Sequence, residues 1–130
     1  MPSFGPASEA RLQTCDPRIQ RVLREAIKFY DFTVLCGHRT EAEQNKALAE
    51  KKSTKSFPNS VHNSLPSRGV DIAPHPIDWN DLARFALLVG FVIGLGKGMG
   101  INLRSGLDWD DDGNIKEHTL IDGPHLELVD

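Results

Sequence analysis

The chain of 130 residues has only two cysteines, Cys15 and Cys36. Lacking a Cys-x-x-Cys spacing, they are too few for a disulfide scaffold and poorly placed for a closed structural zinc site, so both read as buried thiols. An excess of basic charge is missing too: Lys and Arg number 15 against 18 Asp and Glu, for a formal net charge of -3 and a pI near 5.9. Neutralising a phosphate backbone needs a basic footprint, so the bulk charge points away from nucleic acid. The short run Lys51, Lys52 and Lys55 reads as a solvated loop. No apolar run reaches the roughly 20 residues that cross a bilayer. The longest, Phe85 to Leu95, is bracketed by Arg84 and Lys97 and reads as a buried core helix without stable membrane insertion. The start, Met1-Pro2-Ser3-Phe4-Gly5-Pro6, has no basic region followed by an apolar stretch, so the expectation is a chain without a signal peptide that begins in the cytoplasm.

What is present suits one globular domain over 1–130, long enough to bury a core. Residues 1–15, with Pro, Gly and Ser and little periodicity, read as an extended arm. Asp16 can cap a helix that opens on Pro17 and carries Ile19, Val22, Leu23, Ala26, Ile27 and Tyr30 at helical spacing. Phe32 to Cys36 is β-branched and apolar and ends at Gly37, which predicts a strand and a turn. Thr40 and Glu43 form a capping box for a helix over Glu41 to Lys51. Trp79 to Leu95 predicts a core helix, after which Gly94, Gly96, Gly98 and Gly100 are expected to loosen the chain. Ile101 to Leu103, Thr119 to Ile121 and Leu126 to Val129 are further short strands. The sum is an α+β domain with two or three helices on a small antiparallel sheet, whose strand ends hold the residues discussed next.

Those residues lie in two stretches. Ser60 to Pro74 carries His62 and Asp71 around a loop of Ser, Pro and Gly, and Asp122 to Leu128 carries His125. A catalytic zinc takes three protein ligands and leaves one position open, and His62, Asp71 and His125 can supply such a set. Asp122, three residues before His125, is spaced to take a proton from water at the open position without occupying the metal. Arg39, at the junction of a strand end and a helix start, is either a surface ion-pair residue or a rigidly presented guanidinium. Asp108, Asp110, Asp112 and Asn114 match the start of a calcium loop, but Thr119 stands where the bidentate glutamate belongs. That segment is a solvated acidic turn or a weak calcium site.

Three blocks in order, Phe32-x-Val34-x-Cys36-Gly37-His38-Arg39-Thr40-x-x-x-Gln44, Ser60-x-His62 with Gly69-Val70-Asp71-Ile72-Ala73-Pro74, and Asp122-x-Pro124-His125-x-Glu127-Leu128, together resemble the zinc D-Ala-D-Ala carboxypeptidase and L-alanoyl-D-glutamate endopeptidase family. That family includes bacterial cell-wall peptidases and bacteriophage endolysins, and shares its fold with Hedgehog signalling domains. The resemblance runs from about Cys15 to Leu128. It implies zinc on His62, Asp71 and His125, Asp122 as general base, Arg39 as the arginine that binds and polarises the substrate carbonyl, and Ser60 as an accessory substrate contact. It also implies regulatory calcium on the acidic loop. The interval from His62 to Asp71 is longer than the family's usual one, and Leu126 stands where an aromatic residue is common. The function implied is a monomeric peptidoglycan peptidase of the endolysin type, cutting the peptide stem between L-alanine and D-glutamate. It would accumulate in the host cytoplasm and reach the wall once another protein permeabilises the membrane. The alternatives are a D,D-carboxypeptidase or dipeptidase on the same scaffold, and an inactive metal-bearing binding module. A retained Asp122 favours catalysis over the last.

Overall fold

The computed structural model describes residues 2–106 and 122–129. Its first element departs from the sequence reading. Residues expected as an extended arm contain helix α1, Pro6–Leu12, with Leu12 fully buried. A helix of 7 residues is too short to be stable alone and carries little periodic signal, so its reason is tertiary. It lies along strand β1, Phe32–Cys36, an edge strand whose free backbone groups it satisfies. The Val34 amide donates to Ser8 Oγ at 3.1 Å, and Arg11 Nη1 donates to the Val34 carbonyl at 3.1 Å. A sheet edge left bare would invite pairing with another chain.

Helix α2, Pro17–Ala26, begins at the predicted Asp16 cap, whose carboxylate accepts from the Arg18 amide at 2.9 Å. Ile19, Val22, Leu23 and Ala26 form its buried stripe, and the chain leaves the helix before Tyr30. Helix α3, Glu41–Ala49, carries the expected Thr40–Glu43 capping box. A 3-10 turn, Val61–Asn63, then leads to β2, Gly69–Pro74. Cys15 is buried, Cys36 is half-buried, and both are free thiols.

Helix α4, Leu82–Gly98, starts later than expected and runs on through Gly94 and Gly96 instead of loosening there. Gly96 explains the continuation. A Cβ there would stand 2.9 Å from the Ile101 carbonyl oxygen, so the missing side chain lets the next segment fold back against the helix. The Ile101 amide closes that approach with a 2.8 Å bond to the Gly96 carbonyl. Strand β3 is Leu103–Gly106, beginning where the sequence reading ended its strand, and β4 is Asp122–Leu128. The sheet is antiparallel in the order β1-β2-β4-β3, and α4 packs on β2, β3, β4 and α2 over a core that includes Val70, Ile72, Leu88, Val92, Leu103, Leu126 and Leu128. Thus the α+β architecture stands, with α1 as an added helix. Among the described residues no helix is long and apolar enough to cross a membrane.

The glycines of α4 make a test. Around Gly90 and Gly94 an added Cβ meets nothing within 4 Å. Gly90→Ala and Gly94→Ala are therefore expected to stabilise the fold by roughly 0.5–1 kcal/mol each through helix propensity. Gly96→Ala should destabilise it, because a backbone carbonyl cannot give way cheaply. Urea melts of the three variants check both signs.

Candidate metal centre

Asp71 and His125 are direct cross-strand partners on β2 and β4. Their neighbours Val70, Ile72, Leu126 and Leu128 point into the core, so strand alternation puts Asp71, His125 and Glu127 together on the opposite face. The strand pattern of the sequence predicts these residues at or between strand ends. Instead β4 is continuous from Asp122 and His125 lies inside it, so the group stands on the face of the sheet. His62 arrives from the 3-10 turn. Ser60 caps that turn, accepting from the His62 amide at 3.2 Å, while Asn63 Oδ1 accepts from the Ser60 amide at 3.0 Å. Gly69 makes room: a Cβ on it would lie 2.5 Å from Val61 Cγ2 and 3.2 Å from His125 Cε1.

Three donor atoms converge. His62 Nε2 is 3.2 Å from His125 Nδ1 and 3.3 Å from Asp71 Oδ1, and His125 Nδ1 is 3.0 Å from the same oxygen. Ligand atoms at about 2.0–2.1 Å from a tetrahedral ion sit roughly 3.3–3.4 Å apart, so this triangle has the size of one face of such a site. His62, Asp71 and His125 can therefore hold a metal ion. The imidazole side chains are 5% and 7% exposed and Asp71 is 19% exposed, which leaves the carboxylate edge open to solvent.

The far side of each ring is fixed. His62 Nδ1 lies 2.7 Å from the Gly37 carbonyl, which can only accept, so Nδ1 carries a proton and Nε2 is the nitrogen a metal would take in place of its own proton. His125 is used the other way round. Its Nε2 lies 2.9 Å from Glu127 Oε1, and Glu127 is in turn held by Arg104 Nη2 at 2.9 Å. Charge follows the same pattern when no ion is bound. Burial opposes a charge on His62, but its bonds to Asp71 and Cys36 and the Asp71 charge outweigh it and raise the pKa to about 10. His125 is raised likewise, burial being outweighed by Asp71 and Glu127. Burial also works against the Asp71 carboxylate, yet the two imidazoles hold it well below the ordinary range. The pocket demands positive charge, and a divalent cation competes with protons to supply it.

Arg39 stands beside this group, with Nη2 3.9 Å from Asp71 Oδ2 and its amide donating to the His62 carbonyl at 2.7 Å. Ser60 is half-buried, engaged with the turn that carries His62. Asp122 begins β4, with its Cα paired to Gly106, and its side chain lies outside the described residues. Asp108, Asp110, Asp112, Asn114 and His118 lie outside them altogether, as does the strand expected over 119–121. His38 bonds the Ser64 carbonyl through Nδ1 at 3.0 Å, and His75 is exposed. The sequence reading gave no role to Glu127. Its signal was the His-x-Glu spacing, which places two side chains on one face of any strand.

A sheet that presents one imidazole and a carboxylate, met by a second imidazole from the adjoining 3-10 turn, is a frame that suits a metal-dependent hydrolase. The sequence pattern of the family described as phage L-alanyl-D-glutamate peptidase matches residues 2–129. The L-alanyl-D-glutamate peptidase of Escherichia phage T5 is 38% identical over 135 residues, which span 97% of this chain and 97% of that protein. The crystal structure of the Serratia marcescens L-Ala D-Glu endopeptidase ChiX superposes with a TM-score of 0.77 at 27% identity, over 97% of this chain and 89% of that one. The chain belongs to the phage L-alanyl-D-glutamate peptidase family.

Glu127→Ala removes the partner of His125 Nε2 without touching a ligand. It is expected to weaken metal affinity by roughly 10- to 100-fold, with Zn2+ as the probe ion in competition against a chromophoric chelator. Unchanged affinity would show that His125 needs no such support.

Proposed function

We propose that this chain is a zinc-dependent endolysin that hydrolyses the bond between L-alanine and D-glutamate in the peptide stem of peptidoglycan. The observation that carries the reading is the triangle of His62 Nε2, Asp71 Oδ1 and His125 Nδ1, with edges of 3.0 to 3.3 Å, in a chain of this family. Two nitrogens and one carboxylate oxygen are an ordinary donor set for zinc, which when bound supplies Lewis acidity and makes a water acidic enough to lose a proton near pH 7.

The chain's own groups do the rest. Arg39 binds the substrate carbonyl oxygen and takes up the negative charge that develops as water adds to the carbon. Asp122, the general base of the family pattern, accepts the proton from that water and passes it to the departing amine nitrogen, so that one carboxylate serves both directions. The carbon–nitrogen bond breaks, leaving a carboxylate on the alanine side and an amine on the glutamate side. Ser60, beside the first ligand, adds a hydrogen bond to the substrate. The protein works as a monomer, accumulates in the host cytoplasm, and lyses the cell when it gains access to the wall.

Purified protein incubated with peptidoglycan should release fragments that mass spectrometry identifies as free at the D-glutamate amine, and chelation should stop the release. Loss of terminal D-alanine instead would place the enzyme among the carboxypeptidases. Asp122→Ala is expected to keep the fold and bound zinc while lowering hydrolysis by at least about 100-fold; near-normal turnover would remove Asp122 from the mechanism.

A further inference from the structure

Gln44, on α3, is fully buried, with 0% exposure, although the exposed positions around it make α3 a surface helix. A buried amide is costly unless its donors and acceptor are used, and here all are. Oε1 accepts from Arg39 Nη1 at 2.9 Å and from Asn63 Nδ2 at 3.2 Å. Nε2 donates to Ser53 Oγ at 2.9 Å and to the Lys55 carbonyl at 2.6 Å. The orientation of the amide follows, because a guanidinium can only donate and a carbonyl can only accept. One side chain thus ties together the β1–α3 junction that carries Arg39, the turn that carries His62, and the loop that follows α3.

The contact with Arg39 matters most. Its guanidinium approaches Asp71 Oδ2 no closer than 3.9 Å and Cys36 Sγ no closer than 3.8 Å, so the 2.9 Å bond to Gln44 is the short one that aims it. The chemistry of the partner is also apt. A carboxylate in that position would hold the arginine equally well but would neutralise it through a charge-assisted pair. A neutral amide fixes the direction and leaves the positive charge for a developing oxyanion.

We propose that Gln44 is the positioning residue for Arg39: it aims the guanidinium at the substrate carbonyl without quenching its charge, and anchors the Ser53–Lys55 loop beside it. The proposal rests on the reading of Arg39 as the group that receives that carbonyl, and the test separates the two. Gln44→Leu, Arg39→Ala and the double variant are compared as zinc-loaded full-length proteins on a soluble stem peptide, with zinc affinity and thermal melting followed in parallel. Misaiming by about an ångström can cost on the order of 100-fold in rate. Gln44→Leu is therefore expected to lower kcat by roughly 10- to 100-fold, leaving KM and zinc affinity little changed. In the Arg39→Ala background the same substitution should cost nothing further. Should Gln44→Leu fail to fold, Gln44→Met, which keeps the length of the side chain but offers Arg39 only a weak thioether acceptor, is expected to give the same loss and the same non-additivity. Losses that multiply in the double variant would overturn the proposal while leaving the role of Arg39 intact. So would a fall in zinc affinity that accounts for the lost rate, since Gln44 would then act through Asn63 and His62. Full activity in Arg39→Ala would overturn both.

Discussion

The pairing of Asp71 with His125 across β2 and β4 is the constraint on which the site depends. Strand side chains alternate between faces, so a slip of one residue would carry Asp71 or His125 into the apolar core and a valine or leucine out of it. The bed of α4 forbids that slip. Val70, Ile72, Leu126 and Leu128 face it, and with Phe85, Leu88, Val89 and Val92 they form a layer that is dry only in the observed register. The apolar half of the domain thus sets the geometry of the polar half without touching it.

On that polar face two imidazoles are used through different nitrogens, and each is held from behind by a different kind of group. His62 is backed by a neutral backbone carbonyl at Gly37, while His125 is backed by a carboxylate that is itself paired with Arg104. The second arrangement leaves more negative charge near the ring and makes His125 the more strongly donating ligand. Cross-strand pairing of Arg104 with Glu127 completes a line from β3 through β4 to the donor triangle. Arg39, at the β1–α3 junction, stands 3.9 Å from Asp71 Oδ2 and is itself held by Gln44 of α3.

Several elements were legible because their causes are local. Asp16 before Pro17, the Thr40–Glu43 box and the β-branched run into Gly37 act within a turn or a few residues, and α2, α3 and β1 begin where those signals put them. Elements with distant causes were not. Helix α1 exists because an edge strand needs Ser8 and Arg11, and α4 passes through Gly96 because Ile101 folds back onto it. Helix propensity reads glycine as a stop, and here close packing outweighs it.

The chain's residues alone determined the donor types, two imidazoles and a carboxylate, and their order along the sequence. They also set the family pattern that made His62, Asp71 and His125 worth considering as a group. Only the tertiary structure decided that partners 63 and 54 positions apart meet within 3.3 Å, which nitrogen each ring offers, and that Glu127 stands behind His125 and Gln44 behind Arg39. The physical reason is range: capping and alternation are encoded in a few neighbouring residues, whereas the meeting of His62, Asp71 and His125 depends on strand register and on the whole core that enforces it.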